Sequence, residues 1–260
     1  MPYADLGRAE VYYEDDGSGP PVILLNGLGA SAAFWGDAVE IMSPGFRLIR
    51  PDNRGAGRTR YSGRFGMGDM AGDAVRLMDF LGLERAGLVG WSLGSNIAQA
   101  VAVAHPERVG ALALVSSYCR RPARASFFLR SMSEAMAGGM PPERFGAALS
   151  AMCFSDGFFE KREREGAPVP VPEITDAQGV AMQLESAEEF DSRESARLIS
   201  APTLCVHGSE DAMVGLRYGE DLAGRIPGCE LLVVEGAGHS VPQKAYIPAV
   251  AEFMRRHPWT

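Results

Sequence analysis

Residues 87–98 read Gly-Leu-Val-Gly-Trp-Ser-Leu-Gly-Ser-Asn-Ile-Ala, and few stretches limit a fold more sharply. An apolar strand, Ala86 to Gly90, turns on one residue and continues as a small-residue helix through Ala104. Ser92 sits at the turn, with Gly90 two residues before it and Gly94 two after. G-x-S-x-G between a strand and a helix is the outline of a nucleophile elbow, in which a strained turn lifts the hydroxyl above a sheet edge. The flanking positions must be tiny because the chain passes close to itself. The helix behind the serine aims its first N–H groups at negative charge developing beside the hydroxyl. An ordinary glycine-rich loop would share the pattern, so the case rests on what surrounds it.

The surrounding chain reads as alternating strands and helices. Residues 2–6 and 9–14 form a hairpin, and Val22–Leu25 and Phe46–Pro51 are buried strands with a helix to about Met42 between them. Met70, Ala74, Leu77, Met78 and Leu81 fall at helical spacing within 67–81. After the elbow comes the strand Gly110–Val115. The alternation stops at Ser116-Ser117 and resumes at the strand Pro202–His207, followed by a helix near 215–226, the strand Glu230–Val234 and a helix near 242–256. Such alternation indicates a mostly parallel sheet covered on both faces. Helices at 124–137, 142–153 and 176–190, with a proline-rich loop Ala167–Pro172, predict a helical cap over 118–199. The core is then 1–117 and 200–260.

At 260 residues the chain buries roughly three quarters of its unfolded surface without staples. A net charge of −8 argues against nucleic acid as a partner. The four cysteines are far apart, without C-x-x-C, and read as free thiols. No H-E-x-x-H or Cys/His cluster marks a metal, and no cofactor is expected. The N-terminal residues lack a basic region followed by an apolar run, and no stretch has the apolar length of a membrane span, so a cytoplasmic protein is expected.

A serine hydroxyl needs a base, and the base needs a group that fixes its tautomer. Of the four histidines, His105 ends the elbow helix, His257 lies in the terminal tail, and His207 ends a strand. His239 occupies a loop, Glu235-Gly236-Ala237-Gly238-His239-Ser240, directly after the last strand, and such a loop can bring an imidazole over the sheet edge. His207-Gly208-Ser209-Glu210-Asp211 supplies the acid. Asp211 and Glu210 compete, and Asp211 is preferred because the Gly208 turn needs several residues to bring a side chain back. An oxyanion beside Ser92 needs two converging N–H donors. Leu93 at the helix start offers one, and Leu28, in the Asn26-Gly27-Leu28-Gly29 loop after the first buried strand, offers the other.

The elbow, Asp211, His239 and the Asp52-Asn53-Arg54-Gly55-Ala56-Gly57-Arg58 stretch together resemble the α/β-hydrolase superfamily across the whole chain except the cap. Within it, the core resembles the branch containing 3-oxoadipate enol-lactonase and related esterases and perhydrolases. Relatives often carry histidine at the position of Asn26 and glycine at that of Ser95. The resemblance implies an α/β-hydrolase fold with an inserted cap and the chain order Ser…Asp…His. Some relatives place the acid after the strand that follows the elbow; Ser116 and Ser117 stand there instead. The implied activity is hydrolysis of a small-molecule ester or lactone, with C–C hydrolysis or perhydrolysis on the same residues as alternatives.

Phe127, Phe128, Met132 and Phe154 make the cap rich in large adaptable side chains, so a mainly hydrophobic substrate is expected. Trp91, Asn26 and Gly27 are placed with them as substrate contacts. Arg120, Arg121 and Arg124 form a charged corner where the cap leaves the core, from which an inward-pointing cation could hold a carboxylate. Two readings of other classes compete. Gly27-Leu28-Gly29-Ala30-Ser31-Ala32, with Asp52 further on, has the outline of a dinucleotide fingerprint, which would make the chain an NAD(P)-dependent oxidoreductase. A non-catalytic ligand receptor on a hydrolase scaffold is the other.

Overall fold

The computed structural model describes residues 3–259. A nine-stranded sheet forms its centre, built from β1 (Tyr3–Asp5), β2 (Ala9–Asp16), β3 (Pro21–Leu25), β4 (Arg47–Pro51), β5 (Arg60–Tyr61), β6 (Ala86–Trp91), β7 (Val109–Val115), β8 (Thr203–Gly208) and β9 (Glu230–Val234). The strands run in the order β1-β2-β4-β3-β6-β7-β8-β9, with β5 paired to β2. The pairs β1–β2 and β2–β4 are antiparallel, and every pair from β4 to β9 is parallel. The hairpin expected over 2–6 and 9–14 therefore lies at the antiparallel edge, although residue 2 falls outside the described residues.

Alternation along the strands sends successive side chains to opposite faces, and each face has its own helices. Ile23, Leu25, Leu112 and Leu114 pack on one side with α2 (Met67–Phe80), α3 (Leu93–Ala104) and α8 (Leu216–Arg225). Val22, Leu24, Ala113 and Val115 pack on the other with α1 (Gly36–Met42) and α9 (Gln243–Arg256). Between β7 and β8 the chain leaves the sheet as α4 (Ala123–Ala137), α5 (Pro142–Cys153), α6 (Asp156–Glu165) and α7 (Ala177–Glu189). Phe145, Leu149, Leu129 and Val180 gather α4, α5 and α7 around a third apolar cluster. Among the described residues no helix is long and apolar enough to cross a membrane.

Two elements escaped the sequence reading. Helix α6 has no buried residue, so it shows no apolar stripe; a left-handed Gly166 (φ 61°) ends it, and Lys161–Glu165 and Glu160–Arg164 are spaced as exposed i,i+4 pairs. Strand β5 is two residues long and lies within a loop-like sequence.

The site is fixed where β6 hands over to α3. Leu25 of β3 pairs with Gly90 of β6, and the first turn of α3 crosses directly over both. A Cβ on Gly94 would lie 2.1 Å from the Leu25 carbonyl oxygen, and one on Gly90 would lie 2.3 Å from the Gly94 carbonyl oxygen. Both obstacles are backbone, so neither can yield. Gly94→Ala is expected to lower Tm by about 5–10 °C, the shift that an overpacked core of this size predicts. Scanning calorimetry measures it, and an unchanged Tm would show that the crossing has room to spare.

Candidate active site

Ser92 has φ 52° and ψ −115°; it and Ser116 are the only non-glycine residues with positive φ among those described. A non-glycine residue held there stores on the order of 1–3 kcal/mol, which the neighbouring structure must hold in place. The Ser92 N–H donates to the Val115 carbonyl at 2.9 Å, so the end of β7 secures the turn. The Ser92 carbonyl accepts from Ser95 and Asn96 N–H groups, opening α3. The hydroxyl is left pointing outward, toward the loop after β9.

That loop delivers His239. Its Nε2 lies 2.9 Å from Ser92 Oγ, and its Nδ1 lies 2.8 Å from Asp211 Oδ2, although the three residues come from distant parts of the chain. His239 is 3% exposed and Asp211 5%, so the imidazole and the carboxylate are shielded from water while Ser92 is half-buried at the cavity. Asp211 Oδ1 accepts the N–H groups of Met213 (2.9 Å) and Val214 (2.7 Å), which fixes the carboxylate plane. His207 stands on its other flank, with Nε2 2.6 Å from the Val214 carbonyl and 3.3 Å from Asp211 Oδ2. Burial alone would raise the Asp211 carboxyl. Attraction to His239 and hydrogen bonding to His207 and His239 outweigh it and hold the group at about 2.

Two contacts that the sequence reading did not foresee hold the imidazole's own backbone. The Ser116 hydroxyl donates to the His239 carbonyl at 2.7 Å, and the Trp91 indole N–H donates to the same oxygen at 3.1 Å. In the sequence Ser116 stands out only as a position without a carboxylate. Nothing in its sequence context announces a role, because its partner lies 123 residues away.

Above Ser92 lies a cavity of about 250 Å³. Its floor is Ser92, Leu93, Leu28 and His239, and the helices between β7 and β8 roof it with Leu129, Leu149 and Phe154. The Pro170–Pro172 segment closes one side. Leu28 and Leu93 both border it, and neither N–H has a protein acceptor among the described residues. A mostly apolar wall with a few convergent polar groups is the usual character of a small-molecule site.

Of the expected substrate contacts, Trp91 and Phe154 line this cavity, and five others do not. Phe127 is 76% exposed, because the inward stripe of α4 runs through Ala125 and Leu129 and leaves residue 127 on the opposite face. Phe128 and Met132 pack within the insertion's own apolar cluster. Asn26 is fully buried beneath the loop, where its Nδ2 donates to the Pro51 carbonyl at 2.7 Å. Gly27 is required by sterics, since a Cβ there would lie 2.6 Å from the Trp91 ring. The sequence reading also missed Phe34, which stacks on Trp91 with centroids 4.1 Å apart and borders the cavity beside it. Arg121 reaches the cavity wall, with Nη1 3.2 Å from the Leu184 carbonyl and 3.4 Å from Glu188 Oε2, whereas Arg120 and Arg124 are exposed.

Asp52 is not open to a ribose. Its Oδ1 accepts Ala32 N–H at 2.6 Å and its Oδ2 accepts Arg58 N–H at 2.8 Å, while the residue is 1% exposed. The carboxylate that completed a dinucleotide outline in the sequence is therefore a tie between two loops, and the oxidoreductase reading is set aside.

Known proteins share the fold. Residues 20–242 match the family described as alpha/beta hydrolase fold. A protein provisionally named carbamate hydrolase RutD, from Azorhizobium caulinodans, is 32% identical over 250 residues, covering 92% of each chain. Among solved structures, the enol-lactonase from Burkholderia xenovorans LB400 superposes with a TM-score of 0.88 at 26% identity, over 97% of this chain and 99% of that one. A thermophilic esterase from Thermogutta terrifontis gives 0.84 at 26% identity, over 98% and 97%. The elbow, the parallel sheet and these matches lead to one conclusion: the chain is an enzyme of the α/β-hydrolase family.

Proposed function

We propose that this enzyme is a serine hydrolase that cleaves a carboxylic ester or lactone of a mainly hydrophobic small molecule through an acyl-enzyme on Ser92. One observation carries the reading: Ser92 Oγ, His239 and Asp211 are linked by contacts of 2.9 and 2.8 Å at the floor of an apolar cavity. Residues 118–199 act in it as a cap that roofs the substrate. The names of two structural neighbours, an enol-lactonase and an esterase, fit the same chemistry.

His239 Nε2 takes the Ser92 proton as Oγ bonds to the substrate carbonyl carbon. The oxygen gains the displaced electron pair, and the N–H groups of Leu28 and Leu93 receive it. As the C–O bond to the leaving group breaks, His239 returns the proton to the departing oxygen. Water then repeats the sequence on the acyl-enzyme, with His239 again as base. Asp211 stabilises the imidazolium in both halves. Its Oδ1 is fully engaged by Met213 and Val214 N–H groups, so Oδ2 is the atom that serves Nδ1.

A panel of p-nitrophenyl esters and simple lactones tests the reading. Ser92→Ala and His239→Ala are each expected to lower kcat by about 10⁴–10⁶, the scale of triad removals. Wild-type protein should react with a fluorophosphonate at Ser92 and turn over many times; stoichiometric labelling without turnover would favour the receptor reading. Asp211→Asn is expected to cost far more than Glu210→Gln, and the reverse order would move the acid to Glu210.

Asp211 also predicts how stability depends on pH. Its folded-state value of about 2 lies below the ordinary aspartate value of about 3.9, so the contribution is present above pH ~4. It is lost as pH falls toward 2. Urea midpoints measured between pH 5 and pH 2 should show wild type losing on the order of 2 kcal/mol more than Asp211→Asn. Parallel curves for the two proteins would contradict the depressed carboxyl.

A further inference from the structure

The loop after β3 has three consecutive amides near the cavity, and two of them are already committed. Gly29 N–H donates to Gln183 Oε1 at 2.9 Å, and Ala30 N–H donates to the Gly27 carbonyl at 3.2 Å. Leu28 N–H alone has no protein acceptor among the described residues. The Ala30 bond closes a turn within the loop, whereas the Gly29 bond comes from a side chain of the insertion, 154 residues further along the chain.

Gln183 lies on α7, is fully buried, and does not line the cavity. Both ends of its amide are used: Oε1 takes Gly29 N–H, and Nε2 donates to the Arg54 carbonyl at 2.6 Å. Arg54 is in turn anchored to α2, with its Nη2 2.9 Å from Asp73 Oδ1. The helix comes close enough to make these contacts because Gly179 has no side chain to hold it off Gly55; a Cβ on Gly179 would lie 2.2 Å from the Gly55 Cα. One buried amide therefore bridges the loop after β3 to the loop after β4. A leucine or methionine would fill the same volume and leave a buried N–H and a buried C=O without partners.

We propose that Gln183 is a positioning residue for the oxyanion site: by taking Gly29 N–H it fixes the Leu28–Gly29 peptide plane, and, with the Ala30 N–H to Gly27 carbonyl bond holding the preceding plane, it locks the turn that leaves Leu28 N–H directed at the carbonyl oxygen of the substrate. The inference rests on the serine-hydrolase reading above. In chemical terms, the insertion roofs the substrate and also sets the aim of one of the two donors beneath it. A donor displaced by a fraction of an ångström still tolerates the planar ground state but serves the developing oxyanion poorly. Loss of Gln183 therefore acts on kcat rather than on KM.

The test compares Gln183→Met, which neither donates nor accepts, with Gln183→Asn, which keeps the amide on a shorter stem. Functional sites in each variant are counted by titration with a fluorophosphonate, and Tm is recorded beside kcat and KM on the best ester of the panel. The expected result is a fall in kcat per titrated site of about 10- to 100-fold for Gln183→Met, short of the 10²–10³ that follows removal of a donor outright. KM should stay within about threefold, and Gln183→Asn should fall between Gln183→Met and wild type. A purely structural role predicts fewer titrated sites and a lower Tm with wild-type kcat per site, and that result overturns the proposal. Should Gln183→Met yield no folded protein, Gln183→Asn alone is read by the same criterion. Turnover that survives in Ser92→Ala would remove the serine-hydrolase reading and this inference with it.

Discussion

The whole site hangs on the close crossing of β6 and α3 over the end of β3. Backbone touches backbone there, with Gly94 over the Leu25 carbonyl and Gly90 under the Gly94 carbonyl. That contact forces the turn to be made in a single residue, and Ser92 accepts a positive φ to make it. It also places the chain leaving β3 beside the first turn of α3, which is why Leu28 and Leu93 border the same cavity. A looser crossing would separate the two loops, and no rearrangement of side chains could bring them back.

Around that crossing, polar groups are spent on placing backbone more often than on the cavity itself. Ser116 and Trp91 hold the carbonyl of His239, Asp52 ties Ala32 to Arg58, and Asn26 holds the Pro51 carbonyl. Each loop that reaches the cavity is therefore braced from behind. Low local dielectric strengthens such bonds and makes any one of them costly to break. The cavity side is left mainly apolar, with Ser92, His239 and Arg121 among its few polar groups. Strained backbone at Ser92 and Ser116 fits this picture, since strain persists only where the surroundings over-determine the conformation.

The insertion between β7 and β8 has a twofold relation to the core. Its inward faces form the roof through Leu129, Leu149 and Phe154, while its last helix, α7, docks onto the loops after β3 and β4. These are different surfaces of one element. The roof residues meet substrate on our reading, and Gln183 meets only protein. A change in α7 can therefore reach the site without touching anything bound there.

The parts legible in the sequence were those set by short-range rules. Glycine spacing about Ser92 marked the elbow, continuous apolar runs marked β3, β4 and β7, and the order of loops after β8 and β9 singled out Asp211 and His239. Each depends on backbone geometry within a few residues, or on the fact that parallel strands present their carboxyl ends on one edge. Which residues face the cavity was decided only by tertiary structure. Phe127 and Phe154 are equally apolar, yet one faces solvent and the other the cavity, because side-chain direction is set by packing partners distant in sequence. Ser116, Phe34 and Gln183 stayed invisible for the same reason: a hydroxyl, a ring or an amide acquires its role from a partner that folding, not adjacency, brings within reach.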